Sequence, residues 1–286
     1  MRIAVLGMGR MGHAVAARLL EGGHDVTVWN RTPGRADDLC AVGAEEASSI
    51  ADAVSGRQLV ITSLADDAAA LAVVVGDGGV AGALDTNATC ADMSTVSPEA
   101  AAQLADATGG RSLASPILGG PADVEDGTAT YLVSGPRARF EQAGAAYDTL
   151  GDSVRYLGEE LPLALQLKLV ANYLLLSGVV VLGEAIATAQ AVGVREEVLR
   201  GFLEGSPLVA PALRNRLDAL IEGKHDGWFT TPLGAKDVGL VEGLARREGV
   251  RLPVADLVKR RYEEAAAAGH ADEDLTAVIE LVRGRH

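Results

Sequence analysis

Lys168 and Asn172 are the residues of this chain whose types and spacing most directly suggest chemistry. They lie in the stretch LALQLKLVANYLLLSGVVVLGEA, residues 163–185, whose apolar composition predicts a helix. Residues four apart lie on one face of a helix, and burying an ammonium there is costly unless it is paired or neutralised. Beside a bound hydride donor, such a lysine could protonate a carbonyl oxygen or accept the proton in reverse.

Burial lowers the pKa of an ammonium towards neutrality, where proton transfer works best. The alternative for Lys168 is a side chain that extends along the helix until its ammonium reaches water. Composition alone leaves both alternatives open.

A glycine-rich turn near the start of the chain predicts a dinucleotide-binding site. Gly7, Gly9 and Gly12 form G-x-G-x-x-G between a predicted strand and a predicted helix. The first glycine turns the chain, the second lets a pyrophosphate approach the backbone, and the third packs helix on strand. N–H groups at the helix N-terminus then bind phosphate; the alternative is a turn that binds nothing. We assign the whole turn to the cofactor site: Gly7, Met8, Gly9, Arg10, Met11 and Gly12.

The end of the second predicted strand indicates which dinucleotide binds. An NAD site usually has a carboxylate there for the ribose hydroxyls, but this chain has Asn30, Arg31 and Thr32, with Arg35 nearby. Arg31 could hold a 2′-phosphate by a planar, charge-assisted contact, and Thr32 could add a hydroxyl. These residues favour NADP(H) over NAD(H); the alternative is a solvated surface arginine.

The elements that must position these residues divide the chain of 286 residues into two parts. Strand–helix alternation predicts an α/β Rossmann domain over residues 1–161, with a mostly parallel sheet. Helical patterns alone follow, so residues 162–286 are predicted to form an all-α domain, joined to the first by a long helix. The predicted strands are 3–7, 25–30, 58–64, 88–95, 111–117, 129–135 and 153–158. The predicted later helices are 162–192, 195–204, 210–222, 232–248, 253–268 and 272–283.

Two helix starts in the first domain are also predicted from capping residues. Thr32 followed by Pro33 predicts a helix over residues 32–43, and Ser97 followed by Pro98 predicts another. A capping hydroxyl followed by proline at the first helical position is typical of a helix N-terminus.

Composition excludes several classes of function. The net charge of −14 argues against nucleic-acid binding, because the chain shows no basic patch. Cys40 and Cys90 lie far apart and outside metal-type spacings, so we expect no metal site and a reducing cytoplasm. The start MRIAVLGMG leaves no room for a signal peptide. About fifteen residues separate Lys168 from Glu184, fewer than a membrane span needs, so we expect no membrane partner.

Several ordered motifs make the chain resemble the β-hydroxyacid dehydrogenase family, which is related to 6-phosphogluconate dehydrogenase. Besides the glycine turn, DMSTVSP (92–98) resembles the family's D-x-S-T-x-x-P strand end, and SPILGGPADVEDGT (115–128) its substrate loop. KLVANYLL resembles the catalytic K-x-x-x-N helix, and AKDVGLV (235–241) the late K-D motif. The resemblance covers nearly the whole chain and implies an oxidoreductase that moves a hydride between NADP(H) and a small hydroxy or carbonyl compound.

The resemblance also implies site residues. Lys168 becomes the general acid and base, with Asn172 beside it. The remaining cofactor assignments are Ser63, Leu64, Ala65, Ser94, Thr95 and Lys236. The substrate assignments are Ser94, Leu118, Gly119, Gly120, Lys168 and Asn172.

Two departures from the family pattern bear on the substrate. Leu118 stands where the family usually has a serine that binds a substrate carboxylate, and Leu161 and Leu163 stand where close-approach glycines are expected. A less polar aldehyde, ketone or cyclic imine therefore competes with a short hydroxyacid. An NADPH-dependent imine reductase is the alternative function, although such enzymes often replace the lysine retained here. A non-catalytic NADPH-binding protein is a third.

The long helix also predicts an oligomer. A helix of about 30 apolar-rich residues spans about 45 Å at 1.5 Å per residue. That is more apolar surface than a helical domain of about 125 residues can cover. We therefore expect a homodimer formed through the C-terminal helical domain.

Overall fold

Short apolar runs alternate with helices through the first part of the chain and build a single sheet. The computed structural model describes residues 1–284. Within these residues nine strands form the sheet, in the order β3-β2-β1-β4-β5-β6-β8-β7, with β9 paired to β8. The strands are β1 (Arg2–Leu6), β2 (Asp25–Trp29), β3 (Glu45–Glu46), β4 (Leu59–Thr62), β5 (Thr89–Asp92), β6 (Ser112–Ala114), β7 (Ile117–Leu118), β8 (Thr130–Ser134) and β9 (Ser153–Gly158).

The predicted mostly parallel sheet is confirmed. Strands β1 to β6 pair in parallel, and β8 pairs antiparallel with β6 and β7 but parallel with β9. In β1, Ile3 and Val5 enter one hydrophobic core while Ala4 and Leu6 enter another. Because both faces are covered, the central strands are apolar at nearly every position.

Helices cover both faces of this sheet. They are α1 (Arg10–Glu21), α2 (Asp37–Ala41), α3 (Ile50–Val54), α4 (Asp67–Val74), α5 (Val80–Ala83), α6 (Pro98–Ala107), α7 (Pro121–Glu125), α8 (Arg137–Gln142) and α9 (Gly144–Leu150). The predicted cap of α6 is confirmed: the Ser97 hydroxyl accepts a hydrogen bond from the Ala100 amide, with Pro98 in the first turn.

The predicted helix over residues 32–43 is wrong in its first half. Helix α2 begins only at Asp37, after Ala36, so Thr32 caps no helix. Gly34 has a φ of +75°, and its amide donates to Glu46 Oε1 at 3.0 Å. A left-handed residue cannot continue a right-handed helix, so this segment is a turn that leaves Arg31 exposed.

The second part of the chain is helical, as predicted. It contains α10 (Pro162–Ala191), α11 (Glu196–Gly205), α12 (Pro211–Arg214), α13 (Leu217–Glu222), α14 (Thr231–Arg247), α15 (Pro253–Ala265), a π-helical turn (Ala266–His270), a 3₁₀ helix (Leu275–Ile279) and α16 (Glu280–Arg283). Its core gathers one face of α10 with α14 and α15; Tyr262 is fully buried and donates to the Leu176 carbonyl at 2.9 Å.

Contacts divide the chain into two compact units, Met1–Lys168 and Leu169–His286. The predicted boundary at residue 161 falls just before α10, whereas this division falls inside the helix. The first two turns of α10 therefore belong with the sheet.

Helix α10 has the length and composition of a membrane-spanning helix. Its most apolar window of 18 residues has a mean hydropathy of 1.9, and 44% of that window is buried. The same test is passed by core helices, and Leu176, Val179 and Ile186 are fully buried in the core of the second unit.

Candidate functional site

The three glycines of the glycine turn have two kinds of surroundings. Gly7 has a φ of +99°, and a Cβ on Gly7 or Gly12 would collide with a backbone carbonyl oxygen, of Ser63 or Gly7 respectively. Gly9 is the N-cap of α1 without a side-chain cap, and a Cβ there would meet nothing within 4 Å. The turn therefore has open space at the N–H groups of a helix start, which fits a pyrophosphate.

These surroundings predict opposite effects for two glycine variants. Gly12→Ala should destabilise the fold by about 1–3 kcal/mol, because its methyl group collides with backbone. Gly9→Ala should leave thermal unfolding unchanged but weaken NADPH binding by about tenfold or more, because its methyl group occupies the phosphate space. Thermal melts and NADPH titrations measure both. A Gly9→Ala protein with normal NADPH affinity would contradict a phosphate site here.

Asn30 connects the glycine turn to the residues that choose the cofactor. Its Oδ1 accepts from the Met8 amide at 3.0 Å, and its Nδ2 donates to the Thr32 carbonyl at 2.8 Å. Asn30 thereby fixes the backbone of the glycine turn and of the segment after β2. The side chains that follow are exposed: Arg31, Thr32 and Arg35.

The ends of β4 and β5 are held together by a buried carboxylate. Asp92 Oδ1 accepts from Thr62 Oγ1 at 2.7 Å and from Ser94 Oγ at 2.6 Å. The Leu64 amide donates to Ser94 Oγ at 2.9 Å. Burial raises the pKa of Asp92, and the hydrogen bonds from Ser94 and Thr62 oppose that rise.

This arrangement uses Ser94 internally. Its side chain is buried, it donates to Asp92 and it accepts from Leu64, so it joins two strand ends in the assigned cofactor site. Sequence reasoning assigned Ser94 and missed Asp92 and Thr62, although Asp92 opens the DMST motif. The neighbouring assigned residues are more accessible: Ser63, Leu64 and Thr95 are half-buried and Ala65 is exposed.

Lys168 lies buried against the assigned substrate loop. Its Nζ donates to the Ile117 carbonyl at 2.6 Å, and its exposed fraction is 8%. The start of α10 is fixed by Ser134, whose hydroxyl donates to the Leu161 carbonyl at 2.6 Å and accepts from the Ala164 amide at 3.1 Å. The ammonium is thus oriented by a carbonyl dipole beside the loop residues Leu118, Gly119 and Gly120.

The second unit contains a separate polar group on α10 and α14. Asn172 is buried and its Nδ2 donates to Asp237 Oδ2 at 2.6 Å. Lys236 Nζ lies 3.0 Å from Asp237 Oδ1. Asp237 accepts from the Nδ2 atom of Asn172. The Oδ1 atom of Asn172 can then accept from a different donor. Sequence reasoning missed Asp237, although it follows Lys236 in the K-D motif.

The assigned residues therefore form four groups. The first is the glycine turn with Asn30, in which Arg10 is exposed and Met11 half-buried. The second is the strand ends with Ser94, and the third is Lys168 with its loop. Asn172 and Lys236 meet through Asp237 in the second unit. Across the described residues 1–284, no cluster of three or more His, Cys, Asp or Glu side chains could hold a metal ion.

Known families match both units of the chain. Residues 2–158 match the family described as the NAD binding domain of 6-phosphogluconate dehydrogenase. Residues 164–282 match the family described as NAD-binding of NADP-dependent 3-hydroxyisobutyrate dehydrogenase.

Individual relatives extend over the whole length. Glyoxylate/succinic semialdehyde reductase 1 from Arabidopsis thaliana is 31% identical, and the alignment covers 99% of each chain. The structure of 3-hydroxyisobutyrate dehydrogenase from Salmonella typhimurium is 23% identical with a TM-score of 0.90, covering 98% of this chain and 99% of that one. An imine reductase from Myxococcus stipitatus in complex with NADP+ is 23% identical with a TM-score of 0.68, covering 99% and 100%. The two structures show a shared fold.

Proposed function

The chain belongs to the family of 6-phosphogluconate and 3-hydroxyisobutyrate dehydrogenases, and from this premise we propose that it is an NADP(H)-dependent reductase of small carbonyl compounds with Lys168 as its general acid. The observation that supports the role of Lys168 is its burial with the Nζ atom fixed at 2.6 Å from the Ile117 carbonyl. That hydrogen bond fixes the position of the ammonium, and a general acid must be held within reach of the atom it protonates.

The protein's part in the reaction is to bind, orient and protonate. The nicotinamide, when bound, supplies the hydride. The N–H groups at the start of α1 bind phosphate, and the Asp92–Ser94 link holds the neighbouring strand ends in place. Lys168 Nζ gives a proton to the carbonyl oxygen as negative charge develops there. In the second unit, Asn172, whose Nδ2 donates to Asp237 Oδ2 at 2.6 Å, is the other proposed substrate contact.

NADP(H) is the proposed cofactor rather than NAD(H). Arg31 and Arg35 are exposed beside the end of β2, and Asn30 fixes the backbone between them and the glycine turn. An exposed guanidinium can clamp a 2′-phosphate in two-pronged geometry. The Myxococcus stipitatus relative, which shares the fold, carries NADP+.

The proposed function is tested by NADPH oxidation with a panel of acceptors: glyoxylate, succinic semialdehyde, a cyclic imine and no substrate. We expect oxidation that depends on an aldehyde or ketone. Turnover of the imine alone would replace the proposal with imine reduction, the alternative that Leu118 favours because an apolar wall suits an uncharged ring. Tight NADPH binding without turnover of any acceptor would indicate a binding protein.

We extend the proposal to a homodimer formed by the helical unit. Val170, Leu174 and Val181 are 50%, 70% and 62% exposed along α10, although they belong to an otherwise apolar helix. They lie four and seven residues apart along the chain, which places them on one side of the helix. Exposed apolar side chains on one side of a helix mark an interface with a protein partner.

Charging this side of α10 should dissociate the dimer. Leu174→Glu is expected to weaken dimerisation by at least about 30-fold, because a buried interface position would receive an unpaired charge. Val192→Glu is the matched control, since Val192 is 74% exposed but lies beyond the end of α10. Light scattering at micromolar concentration measures both variants. A wild-type monomer with normal activity would refute the dimer.

The proposal also includes a cytoplasmic location and no nucleic-acid or membrane partner. Both cysteines, Cys40 and Cys90, are free thiols, which suits a reducing compartment. The net charge of −14 repels phosphate backbones and anionic lipid surfaces.

A further inference from the structure

We propose that the substrate of this site is an uncharged aldehyde or ketone, one that carries no carboxylate. The inference rests on the proposed function, since it concerns the loop beside the proposed proton donor Lys168. Four observations in the first unit carry it: the position of the loop, its side chains, the occupation of its backbone amide, and its charge.

The loop that follows β7 lies against the proton donor. Because Lys168 Nζ is bonded to the Ile117 carbonyl, the next residues of the chain line the space around the ammonium. A substrate whose carbonyl oxygen reaches Nζ must therefore place its other substituents near Leu118, Gly119 or Gly120. These residues decide which substituents are tolerated.

The side chains around this position offer no available hydroxyl. Leu118 is apolar and half-buried, packed at the edge of the core between sheet and helices. Thr130, the strand partner of Leu118 on β8, shares a hydrogen bond with the Ser153 hydroxyl at 2.8 Å. Thr128 donates to the Asp123 carbonyl at 3.3 Å. Ser115 is fully buried and accepts from the Tyr147 hydroxyl at 2.9 Å, and Ser134 binds the start of α10.

The chain's own carboxylate occupies the backbone donor of the loop. The Gly120 amide donates to Asp123 Oδ2 at 2.6 Å, which forms the N-terminal cap of α7. A Cβ on Gly119 would approach Asp123 Oδ2 and Cβ at 3.1 Å, so loop and carboxylate are packed closely. A substrate carboxylate seeking the Gly120 amide would have to displace Asp123.

The negative charge of Asp123 also disfavours binding of substrates that carry a carboxylate. Its side chain is exposed, and its Oδ2 accepts from the neutral Gly120 amide, so this hydrogen bond leaves the negative charge in place. Like charges a few ångströms apart repel, whereas an uncharged substituent is indifferent to Asp123 and gains contact with Leu118.

A pair of substrates that differ only in this charge tests the inference. Succinic semialdehyde carries a carboxylate, and its methyl ester carries the same aldehyde with a neutral end. We expect the wild-type protein to reduce the ester with a kcat/KM at least about tenfold higher than that for the acid, as one unfavourable charge contact predicts.

Two substitutions should reverse this preference. Leu118→Ser adds a hydroxyl, and Asp123→Asn removes the charge while its amide oxygen still caps Gly120. The double variant should raise kcat/KM for the acid by about tenfold and lower that for the ester, which loses its apolar contact with Leu118. Glu125→Gln is the control, because it removes an exposed charge from the same short helix α7.

The outcomes separate the inference from the function on which it rests. A wild-type protein that reduces the acid faster than the ester would overturn the inference and keep the reductase. A double variant whose acid activity rises no more than that of Glu125→Gln would also overturn it. Failure to oxidise NADPH with either aldehyde would instead overturn the proposed function.

Discussion

Replacing Lys168 with alanine is expected to lower kcat by about 10²–10⁴-fold, the usual contribution of general acid catalysis. Hydride addition leaves an oxyanion, and without the Nζ atom the proton must come from water. NADPH affinity should change little, because the proposed phosphate contacts are made by the glycine turn and Arg31, away from Lys168. Steady-state kinetics with an accepted aldehyde and NADPH titration separate the two effects.

Lys168→Arg is the control for charge. A guanidinium keeps the positive charge but cannot give up its proton near neutral pH, so it should not restore turnover. Near-normal turnover of Lys168→Ala would remove the lysine mechanism. It would favour imine reduction instead, because an imine is protonated to an iminium ion before hydride arrives.

Arg31→Ala should weaken NADPH binding by about 10- to 100-fold, since one charge-assisted phosphate contact contributes roughly 1.5–3 kcal/mol. NADH binding should stay nearly unchanged, because NADH has no 2′-phosphate. Binding titrations with both dinucleotides measure the difference.

Arg195→Ala is the matched control for Arg31→Ala. It also removes an exposed guanidinium, but one in the second unit that forms a surface ion pair with Glu197 at 3.0 Å. The Arg195→Ala variant should bind NADPH and NADH with the affinities of the wild type. Equal losses of NADPH and NADH affinity in Arg31→Ala would contradict a 2′-phosphate role for this arginine.

The sheet and the helical second part were predictable because their signals are local. The apolar run of β1 predicts a buried strand. Its alternate residues face two different cores, Ile3 and Val5 on one side of the sheet and Ala4 and Leu6 on the other. The cap of α6 was equally readable, because Ser97 and Pro98 act on their own helix. Such patterns need no knowledge of distant residues.

The segment after β2 shows where local signals mislead. Thr32 and Pro33 resemble a helix start, but Gly34 adopts positive φ and its amide binds Glu46, a residue of another strand. That contact is made by tertiary structure, so the sequence around Thr32 does not reveal it. The resulting turn keeps Arg31 exposed.

The residues missed in the candidate site were missed for a similar reason. Asp92 reaches back to Thr62, and Asp237 to Asn172, across 30 and 65 positions of the chain respectively. The sequence motifs identified the residues expected to contact a ligand. They did not identify Asp92 and Asp237, which hold those residues in position. The assigned contacts themselves stay predictions, because they concern a cofactor and a substrate.

The most direct test of the account uses NADPH that carries deuterium at both hydrogen positions of nicotinamide C4, with an accepted aldehyde as substrate. Mass spectrometry of the alcohol product should show one deuterium bound to the former carbonyl carbon. With Lys168→Ala the product should form far more slowly but carry the same label, because the lysine supplies the proton and not the hydride. An unlabelled product, or NADPH consumption without any alcohol, would contradict hydride transfer as the function of this protein.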